Sequence, residues 1–172
     1  MGNVIDISAL RDDLAYDPET GVFTWRHGVV TGNGAFRLKP GQVAGTNTGD
    51  GLYRQFKWRG HLYRAHRLAW LYVHGEWPVG EIDHINRDGR DNRIANLRLA
   101  TRAQNLGNTR RRTTNQSGFK GVTWSAHAKR WSAWIATGGN TRHLGYFDTP
   151  EAAHQAYANA AKTAFGEFAR AA

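Results

Sequence analysis

Between Ile82 and Asn105 the chain carries an Asp-His pair, Asp83-His84, then a polar loop, then Asn96-Leu97-Arg98, and finally Asn105. This order offers a carboxylate, an imidazole and a side-chain amide that a strand, a loop, a second strand and a helix could gather around one divalent cation. Such a set is equipped to cut a phosphodiester. His84 is the candidate general base, because an imidazole with a reference pKa of about 6.5 can take a proton from an attacking water near neutrality. Neighbours on a strand point to opposite faces, so Asp83 and His84 can approach one phosphate together only where the strand ends or bends.

The elements that must position these residues are readable from pattern. A strand is expected to end at Asp83-His84, followed by a loop rich in Asn, Asp and Gly and a strand at Leu97-Arg98-Leu99. A helix is expected after Thr101 as N-cap, with Asn105 one turn on. Upstream, Gly21–Trp25 and Leu52–Trp58 read as short strands, the second ending in a turn at Arg59-Gly60. From Arg64 to His74, Ala65, Leu68, Ala69, Tyr72 and Val73 fall at helical spacing, and Gly75 with Pro78 ends the helix. His66 and His74 lie on that helix and are assigned to packing or to the helix end. The first fifty residues are expected to build strands that buttress this core or extend a nucleic-acid footprint.

The chain of 172 residues is 40% hydrophobic and 12% aromatic, enough for one or two small cores. It has no cysteine, which excludes thiolate metal sites, thiol nucleophiles and disulfides and leaves oxygen and imidazole as metal donors. With no membrane-length apolar stretch and no signal-like N-terminus, the expectation is a soluble protein of the cytoplasm, bacterial or of a phage-infected host, with no membrane partner. Net charge is +9. From Asn92 through Phe147 there is no Asp or Glu, while Arg93, Arg98, Arg102, Arg110, Arg111, Arg112, Lys120, Lys129, Arg130 and Arg142 are cationic. A basic, acid-free half suits a polyanion, since phosphate neutralisation and counterion release dominate nucleic-acid affinity.

Residues 107–118 hold three successive arginines and almost nothing apolar, and read as an exposed basic linker. Arg110, Arg111 and Arg112 are expected to contact phosphates. Beyond them, three strands (Phe119–Trp124, Arg130–Ala136 and Thr141–Phe147) precede a helix capped by Thr149, with Pro150 at its first position, running to about Phe165. Alternation puts Trp131, Ala133 and Ile135 toward the Ala-rich helix and Ser132, Trp134 and Ala136 on the open face. Lys120, Trp124, Arg130, Trp134, Arg142 and His143 form the expected contact set.

Asp83-His84, Asn96-Leu97-Arg98 and Asn105 resemble an HNH endonuclease of the ββα-metal fold, of the phage and homing kind. His66-Arg-Leu-Ala-Trp70, Gly75-Glu-Trp-Pro78 and Asp91–Arg98 are similar to the same subgroup, so the likeness covers roughly residues 50 to 108. The segment from Ser117 to about Phe168 resembles an AP2 DNA-binding domain, through Lys120-Gly-Val, Trp131-Ser-Ala-Trp-Ile and Leu144-Gly-Tyr-Phe-Asp-Thr-Pro-Glu-Ala-Ala. That family reads the major groove from its sheet. This chain offers Lys120 at one such place and Thr123, Ser125, Ala136 and Thr141 at others.

These resemblances imply an α+β protein. The expected parts are an HNH module at residues 1–108 with its core at about 64–108, a basic linker at 109–117, and an AP2-like three-stranded antiparallel sheet on one helix at 118–172. They imply that Asp83 and Asn105 ligate Mg²⁺ (or Mn²⁺), with Asn108 as a fallback ligand. Asn96 would pin the loop and help orient the catalytic His84. The implied activity is that of a DNA hydrolase leaving 5′-phosphate and 3′-hydroxyl ends, acting on double-stranded DNA as a monomer or homodimer. Two other readings share the residues: a DNA-binding regulator with an inactive nuclease remnant, and a dimeric restriction-type nuclease making double-strand breaks.

Overall fold

The computed structural model of the chain describes residues 5–30, 36–108 and 115–169. Arg110, Arg111 and Arg112 lie outside them. The fold is mixed, with four helices and several small antiparallel sheets among the described residues, and it resolves into two compact units, 1–99 and 100–172.

The first unit opens with a helix that the sequence pattern did not announce, α1 (Ile7–Asp13), started by the Asp6 carboxylate accepting from the Ser8 and Ala9 amides. It runs directly into the hairpin β1 (Leu14–Asp17) and β2 (Val22–Trp25), paired from Leu14 opposite Trp25 to Asp17 opposite Val22. The Asp17 side chain closes the turn by accepting from the Glu19 amide and the Thr20 hydroxyl. Two short pairs follow in sequence, β3 (Val29–Val30) with β4 (Phe36–Leu38), then β5 (Thr46–Asn47) at the edge of a three-stranded sheet. That sheet continues with β6 (Arg54–Trp58) and β7 (His61–Arg64), joined by a tight turn in which Arg59 and Gly60 both take positive φ.

Helix α2 (Ala65–His74) matches the expected span and stops at Gly75, which takes the left-handed conformation (φ 82°) and returns its amide to the Leu71 carbonyl. Its buried side, Ala65, Leu68, Ala69 and Leu71, joins Leu10, Leu14, Phe23 and Phe56 in one apolar core. Tyr16, Phe23, Phe56 and Tyr72 pack there at tilted or edge angles. Then come β8 (Glu81–His84), a long polar loop closed by one 3₁₀ turn at Ile94–Asn96, and β9 (Leu97–Ala100), which pairs with β8.

The second unit begins with α3 (Arg102–Asn108). Thr101 caps it reciprocally with Gln104: the Gln104 amide donates to the Thr101 hydroxyl at 3.2 Å and the Thr101 amide donates to the Gln104 side chain at 2.8 Å. The antiparallel sheet of β10 (Val122–Ser125), β11 (Arg130–Thr137) and β12 (Asn140–Phe147) then packs on α4 (Pro150–Phe165). Thr149 caps α4 through the Ala152 amide, with Pro150 at its start. Ile135, Tyr157, Ala161 and Phe165 form its core, and α3 packs on α4 where a Cβ at Gly107 would lie 2.8 Å from the Phe165 ring. Asn115 and Ser117, within the span expected as linker, bond to the Phe119 and Val122 carbonyls at the head of β10.

Candidate functional site

Strand β8 ends at His84, where the Arg87 amide returns to the His84 carbonyl at 2.8 Å and Arg87 takes φ 65°. This is the break that lets Asp83 and His84 both sit inside, at 3% and 6% exposure, although they are sequence neighbours. Arg98 on the paired strand donates its Nε to Asp83 Oδ2 at 2.8 Å, an almost buried ion pair that supplies the counter-charge an interior carboxylate requires.

The loop between the strands is held by side chains rather than by a sheet ladder. Asn96 accepts from the Asn86 amide at 2.9 Å and donates Nδ2 to Asn86 Oδ1 at 3.0 Å and to the Asp91 carbonyl at 2.8 Å. Its own carbonyl takes the Ile85 amide, so one buried residue ties both ends of the loop. Asp91, salt-bridged to Arg93 at 2.6 Å, is held well below the usual carboxylate range at about 2, chiefly by that guanidinium.

The side chain beside the His84 ring is Asn92, whose Oδ1 stands 3.3 Å from His84 Nε2. Asn92 is 1% exposed, and pattern reading passed it over as one polar residue of a turn. The N-terminal hairpin places it. The Tyr16 hydroxyl donates to the Asn92 carbonyl at 2.7 Å, and the turn at Gly21 presses on the same backbone. A Cβ at Gly21 would lie 2.4 Å from Arg93 N and from Asn92 C, and its φ of 70° suits glycine. Burial pushes the Tyr16 phenol up to about 12, so it remains a donor.

Two more rings line His84. Tyr53 lies 5.9 Å away by ring centroid, and His66 of α2 meets it edge-to-face at 5.0 Å with planes 87° apart. His66 is 8% exposed, and its buried Nδ1 finds no partner among the described residues. Burial, with His84, Arg67 and Arg64 nearby, holds it neutral, its pKa down to about 3. Burial also lowers His84 below 6.5, opposed by Asn92 and by Asp83, Asp91 and Asp88. His66 thus packs as expected, but onto the candidate base, while His74 stacks on Trp70 at the helix end.

Among the described residues no group of three His, Asp or Glu gathers as a ready-made metal cage. Asp83 is a buried carboxylate at the end of β8, and Asn105 and Asn108, the amide donors that the resemblance implies, lie on α3. Hard oxygen donors in small number fit a Mg²⁺-like ion that keeps waters and takes phosphate oxygens for the rest of its shell. Asn105 is half-buried and Asn108 buried.

In the second unit the register divides the expected contact set. Cross-strand partners share a face: Ser132 pairs with Tyr146, Trp134 with His143 and Ser125 with Arg130, so Arg130, Trp134, His143 and Tyr146 lie together on the open face. Trp124 pairs with Trp131, and Arg142 with Ile135, which puts both on the helix side although both are exposed. Lys120 reaches the end of α3, its Nζ donating to the Gly107 carbonyl at 2.6 Å, and Arg130 bridges Asp148 at 2.9 Å. On the open face the Trp134 indole donates to Ser132 Oγ at 3.1 Å and covers it, then continues into His143 and Tyr146 with centroids 4.4 and 4.6 Å apart.

Comparison with known proteins bears on the stretch that carries Asp83, His84 and Asn105. A sequence model of the HNH endonuclease family matches residues 63–106. Protein 3.8 of Escherichia phage T7 is 31% identical over 108 residues, 62% of this chain and 88% of that protein. No solved structure matches. The chain belongs to the family of that phage protein and carries an HNH endonuclease domain, which marks it as a nuclease acting on DNA.

Proposed function

We propose that the chain is a divalent-metal-dependent DNA endonuclease in which His84 is the general base, hydrolysing phosphodiesters to 5′-phosphate and 3′-hydroxyl ends. The observation that carries this is the end of β8, where an acid and an imidazole enter one buried environment, each with its own polar partner: Arg98 for Asp83, Asn92 for His84. A neutral imidazole is the form that accepts a proton from water, and burial favours that form here. Arg98 holds the Asp83 carboxylate in place through its Nε, and Asn96 holds the loop that carries the Asn92 contact.

Asp83 and Asn105, with Asn108 as the fallback ligand, would hold the cation, which would supply charge stabilisation on the scissile phosphate when bound. The second unit serves as the part that locates DNA, in the manner of an AP2 domain. Its open face, with Arg130, Trp134 and His143, is the contact surface, and Arg110, Arg111 and Arg112 are sequence-independent phosphate contacts. Incubating supercoiled plasmid with Mg²⁺ or Mn²⁺, with EDTA, and with His84→Ala tests the reading. Cleavage that persists in EDTA or in His84→Ala at the native rate would refute it.

A further inference from the structure

We infer that the open face of the β10–β12 sheet is a stacking platform for unpaired bases, so that the second unit holds single-stranded DNA in preference to the duplex. The inference rests on the reading of that face as the DNA contact and names the form of DNA it takes.

A break in register builds the face. Ala133 pairs with Gly145 but Trp134 pairs with His143, so the ladder skips Leu144, and Gly145 takes φ 134° at the irregularity. Strict alternation back from Phe147 would send His143 toward α4 and Arg142 outward. The bulge reverses both. Leu144 packs with the apolar clusters beneath the sheet, His143 comes to the open face, and Arg142, opposite Ile135, leaves it. An imidazole thereby stands beside Trp134 where a guanidinium would have been. A row of rings, Trp134, His143 and Tyr146, runs across β11 and β12 with neighbouring centroids 4.4 and 4.6 Å apart.

What these rings offer a partner is chiefly π surface. The Trp134 indole spends its N–H on Ser132 Oγ at 3.1 Å and covers that residue, which is 2% exposed, while the indole itself stays 39% exposed. His143 Nε2 is buried with no partner among the described residues, so its polar end is also turned inward, and Tyr146 is 44% exposed. Of the described strand residues on this face Arg130 alone is cationic, and Asp148 holds it at 2.9 Å. A duplex keeps its base faces stacked inside and shows phosphates, sugars and base edges, which charge and hydrogen-bond donors read. A strand with unpaired bases shows flat π surfaces, which aromatic side chains on a sheet stack against with little regard to sequence. The backbone of such a strand meets no repulsion from the strands, because the run from Asn92 through Phe147 contains all three of them and has no Asp or Glu, in a chain of net charge +9.

The test is fluorescence anisotropy with the full chain in EDTA, so that no strand is cut. The chain is titrated at one salt concentration into a labelled single strand and into the same strand annealed to its complement. A 5-iodouracil in the strand, which cross-links under long-wave ultraviolet light to an aromatic ring stacked on it, reports the contact by peptide mapping. The wild type is expected to bind the single strand about tenfold more tightly than the duplex and to cross-link at Trp134, His143 or Tyr146. Trp134→Ala and, separately, Tyr146→Ala should lose most of that preference, while Trp134→Phe, which keeps a ring, should retain it. If Trp134→Ala does not fold, Tyr146→Ala and the cross-link map decide. Duplex binding as tight as single-strand binding, or tighter, and weakened by Trp134→Ala, overturns the inference and leaves the open face as the DNA contact. Affinities for both forms that neither alanine variant changes sink that underlying reading as well. A dimer in sedimentation that Trp134→Ala disperses, with no cross-link on the face, gives the surface to a second copy of the chain and likewise overturns the inference.

Discussion

The two units solve opposite problems. In the first, the residues of the proposed site are buried and bonded: Asp83, His84, Asn92 and Asn96 are all at most 7% exposed, each with a named partner. In the second, the aromatic residue of the open face stands outward, Trp134 at 39%, on a sheet whose other side is closed by an Ala-rich helix, and Trp124 on that helix side is still 50% exposed. A reacting group gains from a fixed position and few waters, so the interior suits it. A surface that meets a long polyanion must stay open, and its aromatics need only be anchored from beneath, as Ser132 anchors Trp134.

Substitutions can sharpen or break this contrast. The largest effect is expected for His84→Ala, which should lower kcat about 10²–10⁴-fold while binding DNA normally; equal loss of affinity in a filter-binding titration would contradict the division of labour. Next, Asn96→Ala strands the Asn86 amide and the Asp91 carbonyl, and should cost about 3 kcal/mol in urea unfolding. A change under ~1 kcal/mol would mean the loop is held by something else.

Gly21→Ala strains a positive φ and drives a methyl into residues 92 and 93, so a loss of about 2 kcal/mol with a slower kcat is expected. If kcat is untouched, the hairpin does not support the site.

His66 supplies a pH test. Its folded pKa, about 3, lies below the ordinary 6.5, so the unfolded chain takes up the proton first as pH falls. Its contribution is therefore full above about 6.5 and is lost as pH drops toward 3, with a slope of at most ~1.4 kcal/mol per pH unit. His66→Phe should remove that share of the acid slope, and an unchanged slope would show that His66 protonates freely. The smallest effect is expected for Trp134→Ala, with DNA affinity down about tenfold. Its rate at saturating DNA should be native and its stability should lie within about 1 kcal/mol of wild type.

Much of the local structure was legible because its signals are local. Gly75 ends α2 and Thr149-Pro150 begins α4 where expected, since caps depend on a few neighbouring residues. Helix α1 was not announced, for Ile7–Asp13 is too short to show a period, and only the Asp6 cap gives it away. The open and helix-facing alternation of β11 was legible, but the side taken by Trp124 was not. That depends on its pairing with Trp131, a matter of register between strands.

The order of residues alone determined that an acid, an imidazole and two amides recur in one short polar run, that the basic charge gathers beyond it, and where the main helices stop. Only the folded chain decided that Asn92 faces the imidazole and that Tyr16, 76 residues upstream, holds it there. The reason is physical: caps and periodicity act over a turn or two of chain. The neighbour of a buried group is instead chosen by how distant segments share one apolar core.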